Sequence, residues 1–131
     1  MRYLLDTTVL VESLRGNESA KEFLKEANVS ITAVTVAELI QGSKNTKEQS
    51  SVLRLCNSVS HTAINEEVIK YALELLYEFY LPNGLKFWDA LIASVAIKYE
   101  MVLVTANLKH FRFIKELAVI SQREALKFSR N

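Results

Sequence analysis

The sequence has one cysteine, Cys56, one proline, Pro82, and three glycines in 131 residues. A lone thiol forms neither an internal disulfide nor a thiolate zinc cluster, so stability has to come from an apolar core, and a reducing compartment is expected. So few glycines leave no phosphate-cradling loop and no dinucleotide fingerprint, which excludes the nucleotide-binding α/β classes built on them. No stretch rich in proline, glycine or serine exceeds a turn. A single domain over residues 1–131 is therefore expected. Apolar runs approaching the roughly 20 residues of a membrane span are also missing, and Met1-Arg2-Tyr3-Leu4-Leu5-Asp6 meets a charge too soon for a signal h-region. The expectation is a cytoplasmic protein without membrane association. Charge of one sign is lacking too, with 16 Lys and Arg against 15 Asp and Glu. Any nucleic-acid footprint then lies in local clustering rather than in net charge.

What is present in quantity is apolar residues, half of the chain. A chain of this length buries roughly two thirds of the surface its unfolded form exposes, enough for a full core. Tyr3-Leu4-Leu5 is a short apolar run that stops at Asp6. Thr7 and Thr8 then open a stretch with Val9, Leu10 and Leu14 at helical spacing, ended by Gly16-Asn17. Ala20, Phe23, Leu24 and Ala27 recur at three and four and predict an amphipathic helix over residues 19–27. A strand is expected over 29–32, helices over 34–42 and 47–56, and a weaker strand over 58–63. Asn65 caps a long helix to about Leu81, followed by a turn at Pro82-Asn83-Gly84. Residues 87–99 are apolar nearly all round, which places that helix in the middle of the domain. Strands at 101–104 and 118–120, a short helix at 107–114 between them and a terminal helix at 122–128 complete the order. Strands alternating with helices imply an α/β fold with a parallel sheet covered on both faces, and ligands in such folds bind beyond the carboxyl ends of the strands. The polar residues at those ends are Asp6, the 32–38 segment and the 105–110 segment.

Three carboxylates stand out there, each with an ordinary structural role beside the functional one. Asp6 precedes a helix, where Asp is a good N-cap. Thr35-Val36-Ala37-Glu38 matches the capping-box pattern, in which the Glu reaches back to a backbone N–H. Asp89 is followed by Ile92, Ala93 and Ala96 at helical spacing, which puts a carboxylate on an apolar stripe. An unpartnered charge there is costly, and a helix dipole does not offset full burial. Glu66 and Glu67 sit in a first helical turn, where acids belong for dipole reasons alone.

Taken together, these residues resemble a family. Leu4-Leu5-Asp6-Thr7-Thr8-Val9-Leu10, Thr35-Val36-Ala37-Glu38-Leu39 with Gly42, Trp88-Asp89-Ala90-Leu91-Ile92-Ala93, and Leu103-Val104-Thr105-Ala106-Asn107 with Phe111 are similar in order and spacing to the PIN-domain nucleases. Among these they look most like the VapC-type toxins of bacterial and archaeal toxin–antitoxin pairs. The resemblance spans essentially the whole chain and implies a three-layer α/β/α domain with a five-stranded parallel sheet. It also implies Mg²⁺- or Mn²⁺-dependent endoribonuclease activity leaving 5′-phosphate and 3′-hydroxyl ends, neutralisation by a VapB-type antitoxin, and a homodimer, for which Tyr77, Phe79 and Tyr80 offer apolar surface. Asp6, Glu38 and Asp89 fall on the family's three recurrent acidic positions. Where a fourth acid is frequent, this chain has Asn107 and His110, so Asn107 is the remaining candidate metal ligand, through its carbonyl oxygen.

Carboxylates converging within about 5 Å repel by on the order of 3 kcal/mol per pair at an effective dielectric near 20, so such a cluster needs cations or protons. Hard Mg²⁺ suits oxygen ligands, whereas zinc would want the His or Cys ligands this chain lacks. Thr7, Thr8 and Thr105 are candidates for orienting a ligand carboxylate or the attacking water. Lys44, Lys86, Lys109, His110 and Arg112 lie close in sequence to the acidic positions and are candidate RNA contacts. Other classes compete. A haloacid-dehalogenase-type phosphatase needs a second Asp where Thr8 stands, and a phospho-receiver needs paired acids near the N-terminus. The stronger alternative is a catalytically silent PIN-type module that binds RNA or protein.

Overall fold

Short parallel strands need long crossovers, and this chain supplies a pair of helices for each of the first three. In the computed structural model, which describes residues 1–128, the strands are β1 (Tyr3–Leu5), β2 (Val29–Ile31), β3 (Ser60–His61), β4 (Val102–Thr105) and β5 (Val119–Ser121). They form one five-stranded parallel sheet in the order β3-β2-β1-β4-β5. Between β1 and β2 run α1 (Thr7–Leu14) and α2 (Glu18–Glu26); between β2 and β3, α3 (Ala33–Gln41) and α4 (Thr46–Asn57); between β3 and β4, α5 (Glu66–Asn83) and α6 (Phe87–Lys98). A 3-10 turn at Leu108–His110 joins β4 to β5, and α7 (Gln122–Phe128) follows. Asn17, Asn45 and Asn65 each cap a helix, accepting from the backbone N–H three residues on. Each such cap stabilises its helix by about 1 kcal/mol.

The pleat sends neighbouring strand residues to opposite faces, and this divides the core into two layers. Leu4 and Leu103 face the α5–α6 side, with Val68, Ala72, Leu75, Ile92 and Val95. Leu5 and Val104 face the other side, with Val9, Leu10, Phe23, Val52 and Ala125. The three-layer arrangement expected from the sequence is therefore present. α6 has seven consecutive buried residues, Ala90 to Ala96, as its unbroken apolar run required.

Two local expectations need correction. The turn expected at Pro82-Asn83-Gly84 is the last turn of α5, which runs through Pro82 to Asn83. Gly84, at φ 70°, closes it: its N–H bonds the Tyr80 carbonyl at 2.7 Å, and Leu85 N–H reaches Phe79 at 3.4 Å. A left-handed glycine can recover the last carbonyls in this way even where proline has removed a donor. The helix expected over 107–114 is only the turn 108–110. Leu108, Phe111, Ile114 and Leu117 recur at three without a four, and the backbone follows with Phe111→Leu108, Ile114→Phe111 and Leu117→Ile114 bonds. Three-residue repeats fit tight i→i+3 turns, not an α-helix.

Candidate active site

From β1 the chain winds outward to β2 and β3, then returns to the other side of β1 as β4 and β5. That reversal opens a crevice at the carboxyl ends of β1 and β4, where open parallel sheets bind ligands. Asp6 stands at its edge, 9% exposed. Its backbone N–H bonds Val104 at 3.0 Å, one carboxylate oxygen accepts from Thr7 N–H at 2.8 Å, and the other accepts from the Thr105 hydroxyl at 3.0 Å. The N-cap role and a place in the site coincide in one side chain. Thr105 is fully buried at the end of β4 and accepts in turn from Asn107 N–H at 3.0 Å. Thr105→Val keeps the shape but removes a donor to Asp6 and an acceptor from Asn107. It should lower stability by about 1–3 kcal/mol, measured by urea denaturation, while Thr105→Ser should restore most of it.

α3 and α6 bring the other two carboxylates. Thr32, not Thr35, is the N-cap of α3, so Glu38 lies mid-helix and the capping-box pattern is not used. Thr35 is buried inside the helix, and its hydroxyl donates to the Leu5 carbonyl at 3.3 Å. It thereby pins α3 to β1 beside Asp6, a positioning role that the sequence pattern hid behind the cap. Asp89 is in the first turn of α6, which runs antiparallel to the sheet and so starts at the carboxyl ends of the strands. Its side chain is 24% exposed, with His110 Nδ1 at 3.6 Å from Oδ2.

Electrostatics ties the three together. The Asp89 carboxyl is pushed above its ordinary 3.8, first by burial and then by the charge of Asp6, with His110 and Lys86 pulling the other way. Glu38 is raised above 4.5, first by loss of hydration, then by Asp6 and Asp89. Its side chain reaches solvent but lines a cleft of about 600 Å³ between α1, α3 and α4. Burial therefore outranks mutual repulsion as the cause.

The remaining candidates scatter around this centre. Thr7 and Lys44 line the Glu38 cleft. The Thr8 hydroxyl oxygen is buried without a hydrogen-bond partner among the described residues. Lys86 is exposed at the start of α6, and Lys109 and Arg112 are exposed in and after the 3-10 turn. Asn107 is exposed, and its side chain makes no cap bond. His110 faces Asp89 from the same turn.

The family model for the PIN domain matches residues 3–116. The chain belongs to the PIN-domain family. It is similar to the protein named ribonuclease VapC10 of Mycobacterium tuberculosis, 31% identical over 87% of this chain and 89% of that one. It is also similar to ribonuclease VapC of Rickettsia bellii, 26% identical over 92% and 96%. Among solved structures, VapBC2 of Rickettsia felis bound to a promoter DNA fragment matches with a TM-score of 0.74 and 26% identity, over 92% of this chain and 98% of that one. VapBC-1 of nontypeable Haemophilus influenzae matches with a TM-score of 0.76 at 24% identity, over 94% and 99%, a likeness in fold.

PIN-domain nucleases of the VapC kind generally depend on a divalent metal. The donor set here suits a hard ion: the charge of Asp6 bears on Glu38 and Asp89, Asn107 is tied to Asp6 through the Thr105 hydroxyl, and Cys56 is buried in the core. Among the described residues, no three His, Cys, Asp or Glu side chains gather as a preformed ligand set.

Proposed function

We propose that this chain is the endoribonuclease toxin of a toxin–antitoxin pair, hydrolysing RNA phosphodiester bonds with Mg²⁺ or Mn²⁺ at Asp6, Glu38 and Asp89. The observation that supports it is electrostatic: the charge of Asp6 bears on both Glu38 and Asp89, which come from two other elements and whose carboxyls are raised first by burial and then by that charge. The likeness to proteins named ribonuclease VapC supports RNA as substrate. The likeness to the VapBC2 complex of Rickettsia felis supports a VapB-type antitoxin as partner.

Asp6, Glu38 and Asp89 would hold a divalent ion, which would supply charge neutralisation at the scissile phosphate and a more acidic water as nucleophile. The chain's own part is placement. Asp6 is fixed by two hydrogen bonds, so its orientation is set before any ligand arrives. Glu38, held by an α3 that Thr35 anchors, carries a carboxylate raised above its ordinary pKa by burial, which makes it a better proton acceptor for the attacking water than a solvated glutamate. Asp89 closes the opposite side from α6. Lys44 and Lys86 supply cationic rims for the backbone phosphates. A homodimer is part of this reading; of the three aromatics offered for it, Tyr77 and Tyr80 are exposed, whereas Phe79 is packed against the core and offers no free surface.

The test is incubation of the purified chain with single-stranded RNA pools. Cleavage to 5′-phosphate ends in Mg²⁺ or Mn²⁺, abolished by chelator and restored by added ion, is the expected result. A chain that binds RNA or protein but never cuts under either ion is the silent module instead.

A further inference from the structure

Trp88, the chain's only tryptophan, stands 59% exposed in the first turn of α6, next to Asp89. Its ring is braced from one side by Phe87, with centroids 5.7 Å apart and planes at 52°. Phe87 itself is packed against the buried core. A large aromatic left in water beside a packed ring offers a flat face for stacking, and its two side-chain torsions make the ordering cost small. Trp88 forms one end of a concavity of about 980 Å³ whose other wall carries Tyr77, Tyr80 and Leu81 of α5.

Lys86 joins this concavity to the carboxylate crevice. It lines the former, and its charge bears on Asp89 in the latter. Glu78, on the α5 wall, disfavours a phosphate there, so a polyanion keeps its backbone on the Lys86 side and turns its bases towards the aromatic side. That pairing of cation and stacking face is how single-stranded nucleic acid is held without base-edge readout.

We propose that Trp88 is the stacking platform for a nucleobase of single-stranded RNA next to the cut phosphate, with Lys86 holding the intervening backbone. The inference rests on the ribonuclease reading. It adds a specificity-determining side chain outside the carboxylates, and stacking of this kind changes binding by roughly 10-fold per base.

The single tryptophan is its own probe. In the full-length Glu38→Gln variant, which should bind without cutting, random-sequence single-stranded RNA in Mg²⁺ should quench the Trp88 emission saturably. An abasic ribose-phosphate oligomer of equal length should bind by charge without quenching. In the cutting-competent chain, Trp88→Ala should raise KM about 10-fold with kcat little changed, and Trp88→Phe should recover most of the loss. RNA bound by anisotropy with the emission unmoved, or an unchanged KM in Trp88→Ala, overturns the proposal. So does a Trp88→Ala variant that turns a dimer into a monomer, which assigns the ring to self-association. A parental chain that cuts no RNA removes the ribonuclease reading and this inference with it. That failure is seen before Trp88 is touched, so the two are told apart.

Discussion

Asp89→Asn should lower RNA cleavage by on the order of 100-fold or more and yet raise the melting temperature measured in chelator. Even residues that only support a metal ligand typically cost 10–100-fold when removed, so a ligand carboxylate should cost no less. The stability gain follows from the raised pKa of Asp89, caused first by burial and then by Asp6. The folded chain holds that proton more tightly than the unfolded chain does. Metal-free stability is therefore fully present below the ordinary carboxyl values, 3.8 for Asp89 and 4.5 for Glu38, and declines as pH rises through and above them. The Asn variant lacks the Asp89 part of that decline, so its curve against pH is flatter. Added Mg²⁺ should bind the folded parent more tightly than the variant, so the order of stabilities should narrow or reverse. Calorimetry from pH 4 to 8, with and without chelator, checks each arm. A variant that melts well below the parent in chelator would show that the His110 contact at 3.6 Å makes Asp89 structural.

Phe111→Ala should destabilise the chain by about 3–5 kcal/mol, a large part of the 5–15 kcal/mol typical of a domain. Phe111 is fully buried and, among the described residues, is the largest side chain so enclosed. It anchors the segment between β4 and β5, which has only tight turns to hold its shape. The same segment places His110 beside Asp89, so cleavage should fall with stability and recover on cooling. Arg112→Ala, the exposed neighbour, should stay within about 0.5 kcal/mol. Urea midpoints for both variants, at unchanged slope, separate an anchoring side chain from a merely adjacent one. A Phe111 loss under about 1 kcal/mol would mean that the core closes over the gap.

How much of this was legible beforehand follows from what local pattern can encode. The order of strands and helices could be read because apolar spacing reports which face of an element is buried, and that is a property of a few neighbouring residues. Asp6, Asp89 and Thr105 could be singled out because each follows a strand or interrupts an apolar stripe. Pro82 misled for the same reason: it signals a turn locally, while the closure at Gly84 keeps it helical. What the linear pattern lacked was distance between elements. That Thr35 bonds β1 rather than capping its own helix, that His110 lies against Asp89, and that Trp88 remains in water beside Lys86 all depend on strand order and helix placement. The sequence by itself determined the elements, their buried faces and the identity of the acids. Only the packed sheet, by reversing direction between β1 and β4, decided that the charge of Asp6 reaches both Glu38 and Asp89, because periodicity within an element carries no information about which elements become neighbours.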